Sequence, residues 1–369
     1  MANSTQKEFH GWVCHSKTSP LTSTTFQPKL FDPTDIEIKV THCGICGSDI
    51  HTLRSGWGPT DYPCVVGHEI VGHITRVGSG VSSLTSPSRH LKVGDRVGIG
   101  AQSDSCRHPH CPECAFGLEN HCQKQTGTYG GRFRDGSKSY GGYASRWRGP
   151  AWFAFKIPDN LPSAAAAPLL CAGITVYSPL VKNGAGPGKS VGVIGIGGLG
   201  HLGLLFARAL DCDQITAISR TSAKKDEALG GLGADKFIAT DEDKGWAKTH
   251  AQSLDLIIST VSSSDIPIGN YLRLLKVNGQ FIQVGAPEEP FPAFKVFPLI
   301  NKGVKIGGSA IGSPEEIRQM LQLAAGKKVL PWVQERPMED VNNALADMHA
   351  GKARYRYVLV NKPETDAKL

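Results

Sequence analysis

The chain lacks the marks of several protein classes. Its first twelve residues, MANSTQKEFHGW, contain no basic stretch leading into an apolar run, so no secretory leader is expected and the ten cysteines should be reduced. Ten cysteines in 369 residues are too sparse for a disulfide scaffold, and those that cluster point to metal instead. No run of Lys and Arg interleaved with aromatics is present. The 40 basic and 33 acidic residues leave a net charge of +7 that is dispersed along the chain. That argues against a nucleic-acid partner and fits a bland basic surface or attraction for an anionic cofactor. Internal repeats and low-complexity tracts are also missing. One stretch, residues 161–181, lacks charge over a length that could span a membrane. It contains Pro162, Pro168, Gly173 and Pro179 and is rich in Ala and Ser, so it reads as a buried segment between domains. The expectation is a cytoplasmic protein without a membrane partner. The ending Ala367-Lys368-Leu369 differs by one residue from a Ser-Lys-Leu peroxisomal address and offers the alternative location.

What is present is an ordinary globular composition, 40% hydrophobic and 20% charged, long enough for two domains. The first 150 residues are rich in Gly, Cys and His. Their short β-type runs at 36–41, 70–77 and 96–99 are separated by turns, which predicts an irregular β-rich part. From Ser190 the texture changes. Apolar strand candidates at 191–195, 215–219, 236–239, 255–260, 280–285 and 304–308 alternate with helical stretches, the pattern of an α/β doubly wound parallel sheet. In the tail, Ser313-Pro314-Glu315-Glu316 opens a helix, with Ser313 as cap, Pro314 in the first position and Glu316 completing a capping box. A second helix over 338–349 should stop at Gly351, and 355–360 reads as a last strand. The tail is expected to return to the first domain, giving residues 1–160 with 309–369 and residues 161–308.

The strand ending at Ile194 runs into Gly195-Ile196-Gly197-Gly198-Leu199-Gly200 and an apolar helical stretch to Leu210. Glycines there allow a tight turn and close approach of backbone to a pyrophosphate, which the helix N-terminus attracts. Such a turn binds a dinucleotide, and the end of the second strand selects which one. An acid there would hold the ribose hydroxyls of NAD, and none is present. The strand ends Ser219-Arg220-Thr221-Ser222, with Lys224 and Lys225 just beyond, donors and cations suited to the 2′-phosphate of NADP(H).

Two clusters carry metal-binding chemistry. Cys106, Cys111, Cys114 and Cys122 lie close enough on a loop to surround a zinc ion completely, whereas scattered Cys and His residues around Cys46, Asp49, His51 and Gly67-His68-Glu69 leave a position open. A closed site and an open site in one chain point to a zinc enzyme.

With the stretches Cys43-Gly44-Ile45-Cys46-Gly47-Ser48-Asp49-Ile50-His51, Val66-Gly67-His68-Glu69 and Pro168-Leu169-Leu170-Cys171-Ala172-Gly173-Ile174-Thr175-Val176-Tyr177, the cysteine lobe and the glycine turn, the sequence resembles the zinc-dependent medium-chain alcohol dehydrogenases. Within them it is similar to the cinnamyl alcohol dehydrogenase group and its fungal NADP-dependent relatives. The resemblance implies a GroES-like catalytic domain, a Rossmann cofactor domain and two zinc ions per chain. It implies that Cys46, His68 and Cys171 hold a catalytic zinc, with water, substrate or at times Glu69 in the remaining position, and that Asp49 orients His68. Cys106, Cys111, Cys114 and Cys122 would hold a structural zinc. Here the chain departs from the family, with four residues, Arg107-His108-Pro109-His110, where two are usual, so that His108 or His110 could replace a cysteine.

The implied reaction is reversible hydride transfer between NADPH and an aliphatic or cinnamyl-type aldehyde, with Ser48, a ribose hydroxyl and His51 passing the proton to solvent. Thr175, Thr260, Gly285 and Ser309-Ala310-Ile311 would surround the cofactor, and Trp57, Cys64, Tyr129 and Phe297 are candidate pocket linings. Polyol dehydrogenases on the same scaffold are the nearest rival. A specialised double-bond reductase without catalytic zinc would need changes at Cys46, Ser48, His51, His68 or Cys171, and a non-enzymatic zinc module would have lost the ligands. Neither change is visible. The strand at 304–308 could pair with its copy in a homodimer.

Overall fold

In the computed structural model, residues 8–362 are described, and Ala367-Lys368-Leu369 lies outside them. The described residues divide into two units. One takes the chain up to Cys171, then Ser313–Ala325 and the chain from Pro331 on; the other takes Ala172–Gly312 and Gly326–Leu330.

The first unit is organised by the strand Asp35–Gly44, whose residues Ile36, Ile38 and Val40 alternate into the core, with Cys43 joining them after a register shift between Val40 and His42. It pairs antiparallel with Ile70–Val77 and with Arg146–Pro150. The sheet runs Val333–Pro337, Arg356–Val360, Asp35–Gly44, Ile70–Val77, Arg96–Ile99, Ala154–Lys156. The tail therefore belongs to this sheet, with Val358 opposite Gly44. Ser313 and Glu316 exchange the expected capping bonds, 2.9 and 3.3 Å, at the head of the helix Pro314–Lys327. The second tail helix starts later than the sequence suggests: Met338–Asp340 is a 3₁₀ turn and the α-helix is Val341–His349.

The second unit has a six-stranded parallel sheet in the order Lys236–Ala239, Gln214–Ser219, Ser190–Ile194, Leu254–Ser259, Leu275–Gln283, Lys305–Gly308. The order reverses beside Ser190–Ile194, which places a crevice at the carboxyl ends of the central strands.

The uncharged stretch is a broken helix, Ser163–Pro168, a π turn Leu169–Gly173 and Ile174–Lys182. Ser163–Lys182 is long and apolar enough to cross a membrane by length and composition, and 94% of its most apolar window is buried in the protein. Helix continues past Pro168 by widening into the π turn.

Candidate active site

One end of the antiparallel strand pair Asp35–Gly44 and Ile70–Val77, where Cys43 lies opposite Ile70, feeds one buried point in the first unit. After Gly44 the chain turns into the helix Gly47–Leu53, with Cys46 as its N-cap, while Gly67-His68-Glu69 leads into the partner strand. Asp49, in the first turn of that helix, reaches back to accept the Cys46 N–H at 2.8 Å. The π turn supplies Cys171. One donor atom each from Cys46, His68, Glu69 and Cys171 lies within 4.8 Å of the others, and all four residues are buried. His68 Nε2 is 3.1 Å from Cys171 Sγ, and on the far side of the ring Nδ1 is 3.1 Å from Asp49 Oδ1. Asp49 thereby fixes the proton on Nδ1 and turns Nε2 toward the thiols.

The electrostatics suit a cation. Hydrogen bonding from Cys171 holds the Cys46 thiol well below its usual range although burial opposes it. Burial disfavours protonated His68, but Asp49 and then Cys46 outweigh it and push its pKa well above the ordinary value. Glu69 is pushed up to about 7 by burial, against the pull of Arg356. Its Oε1 is ion-paired with the Arg356 guanidinium, and its Oε2 has no hydrogen-bond partner. Two thiols, an imidazole and an orphaned carboxylate oxygen, all buried within one small cluster, fit a zinc ion with one exchangeable position.

Ser48 and His51 lie on the same helix, three residues apart and half-buried, with Ser48 Oγ 3.7 Å from Cys46 Sγ. The His51 imidazole stacks on Trp57, centroids 4.4 Å apart. Of the expected pocket linings, Tyr129 places its hydroxyl 3.0 Å from His68 Nδ1. Cys64 does not line a cleft: it is 1% exposed and back-bonded to Cys14 in the core, because the strand bridge between them turns both side chains inward. Phe297 is on the other unit, 67% exposed on the short helix Phe297–Lys302.

The cysteine lobe is also in the first unit. Cys111 caps the short helix Pro112–Ala115, which carries Cys114, and the turn Glu119–His121 leads to Cys122. Sγ of Cys106 is 3.7 Å from that of Cys114, and Cys111 Sγ is 3.9 Å from Cys122 Sγ. Four sulfurs about 2.3 Å from a central zinc would sit about 3.8 Å apart, so the lobe has tetrahedral zinc dimensions. A hydrogen bond from the His108 backbone lowers the Cys106 thiol to about 7. His108 and His110, their rings 5.3 Å apart, line a cavity of about 630 Å³ together with Cys106, Cys111 and Cys122, but the compact donor group there consists of the four cysteines.

In the second unit a cleft of about 870 Å³ opens at the carboxyl ends of the parallel strands. Gly195, Ile196, Gly197, Gly198, Leu199, Ser219, Arg220, Lys224 and Thr260 line it. A side chain at Gly200 would meet the Gly195 carbonyl at 1.9 Å, so the helix Gly200–Ala209 can begin this close to the turn only with glycine, while Gly197 faces open space that a phosphate could enter. Thr260 Oγ1 hydrogen-bonds the carbonyls of Ile194 and Gly195 and braces the turn. Thr175, Gly200, Thr221, Gly285, Ser309, Ala310 and Ile311 are not among the lining residues. Gly285 instead packs on the Val261 carbonyl. The cleft also holds Asp241, Asn270 and Tyr271, which the sequence reading missed. Asp241 follows the strand Lys236–Ala239, and the rule that ligands lie beyond strand carboxyl ends could have flagged it. With a phosphate-sized opening at the turn and two cations at its rim, the cleft fits an NADP-type dinucleotide.

Residues 32–159 match the alcohol dehydrogenase GroES-like domain family, and residues 198–326 match the zinc-binding dehydrogenase family. The chain is 41% identical over 355 residues to a probable mannitol dehydrogenase of Fragaria ananassa, covering 96% of this chain and 95% of that one. It is 42% identical over 340 residues to an NADP-dependent alcohol dehydrogenase of Saccharomyces cerevisiae, covering 91% of each. Among solved structures, a cinnamyl alcohol dehydrogenase of Sorghum bicolor superimposes with a TM-score of 0.89 at 38% identity, covering 96% of this chain and 98% of that one.

Proposed function

The chain belongs to the zinc-dependent alcohol dehydrogenases and is an oxidoreductase, and from that premise we propose that it is an NADP(H)-dependent alcohol dehydrogenase acting as a reductase of aliphatic and cinnamyl-type aldehydes. The observation that carries this reading is the convergence of buried Cys46, His68 and Cys171 with Asp49 behind the imidazole. These three side chains would hold the catalytic zinc, with Glu69 at the margin, and the four lobe cysteines would hold a second zinc. When bound, the zinc supplies Lewis-acid polarisation of a carbonyl oxygen and the dinucleotide supplies a hydride. The protein's part is positional. Asp49 keeps the His68 ring oriented, the glycine turn and its helix receive the pyrophosphate, and Arg220 and Lys224 receive the 2′-phosphate. Ser48 and His51 share a helix face along which a proton can pass to solvent, and His51 is a side-chain type suited to hold it near neutral pH.

The strand Lys305–Gly308 ends its sheet with an open edge, and Phe291, Phe294, Val296, Phe297 and Ile300 of the same unit are 37 to 67% exposed. An unpaired edge beside an apolar patch supports a homodimer formed by strand pairing.

The test is NADPH oxidation by the zinc-loaded protein with cinnamaldehyde, hexanal and fructose. Turnover of the aldehydes with NADPH far ahead of NADH is expected. Turnover of fructose alone would move the assignment to a polyol dehydrogenase, and no turnover with two zinc ions bound would overturn the aldehyde reading.

A further inference from the structure

Asp49 is 0% exposed, and both of its oxygens are occupied twice. Oδ1 accepts from Gly67 N–H at 3.1 Å and faces His68 Nδ1 at 3.1 Å. Oδ2 accepts from Cys46 N–H at 2.8 Å and from the Tyr143 hydroxyl at 3.0 Å. Three of these four partners sit beside or on the proposed zinc ligands. The fourth, Tyr143, comes from a distant part of the chain and touches none of them through its hydroxyl. Its backbone is fastened to the segment that carries His68: Tyr143 N–H donates to Val66 O at 3.0 Å, and the preceding Gly142 N–H donates to Gly67 O at 2.8 Å. Its ring packs against Gly67, where an added Cβ would come within 2.5 Å of the ring and where φ is +97°. Tyr143 is itself 0% exposed. The phenol is thus held rigidly by the peptide it helps to organise.

We propose that Tyr143 is a positioning residue for the catalytic metal site, fixing the Asp49 carboxylate so that Oδ1 stays on His68 Nδ1 and His68 Nε2 stays toward Cys46 and Cys171. Without Tyr143 the carboxylate would keep two partners on Oδ1 and only the Cys46 N–H on Oδ2; the phenol adds the second donor on Oδ2 and so resists rotation about the Cβ–Cγ bond of a fully buried group. Tyr129 joins the same pair, its hydroxyl 3.0 Å from Nδ1 and sharing that N–H with Asp49 Oδ1. Partners of metal-ligating histidines change metal affinity about 10–100-fold when removed, and Tyr143, acting one bond further away, should act at the low end of that range.

This inference rests on the metal-site reading above, and the experiment separates the two. Metal content is measured first, then release of the catalytic-site metal to a chelator and the ligand-field spectrum of the cobalt-substituted protein, for wild type, Tyr143→Phe, Asp49→Asn and the double variant. Phenylalanine keeps the ring against Gly67, so the fold should survive. Release about 10-fold faster in Tyr143→Phe, a shifted cobalt spectrum, and no further change when Tyr143→Phe is added to Asp49→Asn are expected. Two metals bound with release and spectrum unchanged in Tyr143→Phe, or an effect that adds fully to Asp49→Asn, overturns the positioning role and leaves the metal site standing. Wild-type protein holding metal only in the cysteine lobe overturns both. If Tyr143→Phe proves insoluble, the Tyr129→Phe variant measured the same way must show the faster release, and wild-type behaviour there counts against the network.

Discussion

Glu69 and Arg356, 287 residues apart in sequence, form an ion pair in which neither partner reaches solvent: their side chains are 0% and 1% exposed. Glu69 belongs to the His68 segment and Arg356 opens the last strand of the first unit's sheet, so the pair ties the tail to the proposed zinc site. Removing one partner of a buried pair leaves an uncompensated charge. Arg356→Met should cost about 3–5 kcal/mol, and adding Glu69→Gln should restore most of it. Urea titration of the three proteins checks this, and a double variant no better than the single would show that lost packing dominates.

Gly44 adjoins that pair. A Cβ there would lie 1.9 Å from Glu69 Oε2 and 3.1 Å from Glu69 Cβ, so Gly44→Ala must displace the Glu69 side chain that pairs with Arg356. The expected loss is about 1–3 kcal/mol, the range for overpacking a tight core, together with faster loss of metal to a chelator. Melting temperature and metal retention equal to wild type would show that the carboxylate has another place to go.

Cys14 and Cys64 face each other across a strand bridge, and the Cys64 thiol stabilises the Cys14 thiolate, lowering Cys14 from 9.0 to about 7 against the opposing effect of burial. A pKa lowered by folding means the unfolded chain binds more protons between about pH 7 and 9. This contribution to stability is therefore fully present above pH 9 and is lost as pH falls through 7. Cys64→Ala removes the donor. The difference in urea midpoint between wild type and Cys64→Ala should widen from pH 6.5 to pH 9, and a constant difference would remove the thiolate from the account.

The rim of the dinucleotide cleft supplies a further prediction. Arg220 and Lys224 line the cleft, and the strand Gln214–Ser219 runs into Arg220-Thr221-Ser222 without an acid of its own, while Asp241 from the neighbouring strand's end lines the same cleft. Arg220→Asp should raise KM for NADPH by 10-fold or more, the loss of a charge-assisted phosphate contact worth about 1.5–3 kcal/mol, while KM for NADH falls or holds. Equal changes for both coenzymes would place Arg220 away from the phosphate.

The capping box at Ser313, the glycine turn at 195–200, the spacing of the lobe cysteines and the six parallel strands all depend on residues near one another in the chain. Such short-range geometry can be read from residue order, with boundaries misplaced by a few positions, as at Met338 where a 3₁₀ turn precedes the helix. The polar partners behind the site could not be read that way. Tyr143 lies 94 residues from Asp49 and no local pattern points to it, Tyr129 is a candidate lining whose bond to His68 the sequence does not show, and Cys64, readable from the sequence as small core or as pocket lining, is core. The π turn that presents Cys171 was hidden because a proline in an alanine-rich stretch suggests a break and not a widened helix.

By itself, then, the sequence determined which chemistry is available: thiol and imidazole groups at metal-binding spacing, a phosphate-receiving turn, cations in place of an acid. Local steric and hydrogen-bonding preferences act within a few residues and leave their mark in residue order. Only the tertiary structure decided how those groups are held. Burial strips water from Asp49, Glu69, Tyr143 and Arg356, and each buried polar group must then find its partner across the fold, at whatever distance in sequence the sheet register happens to bring together.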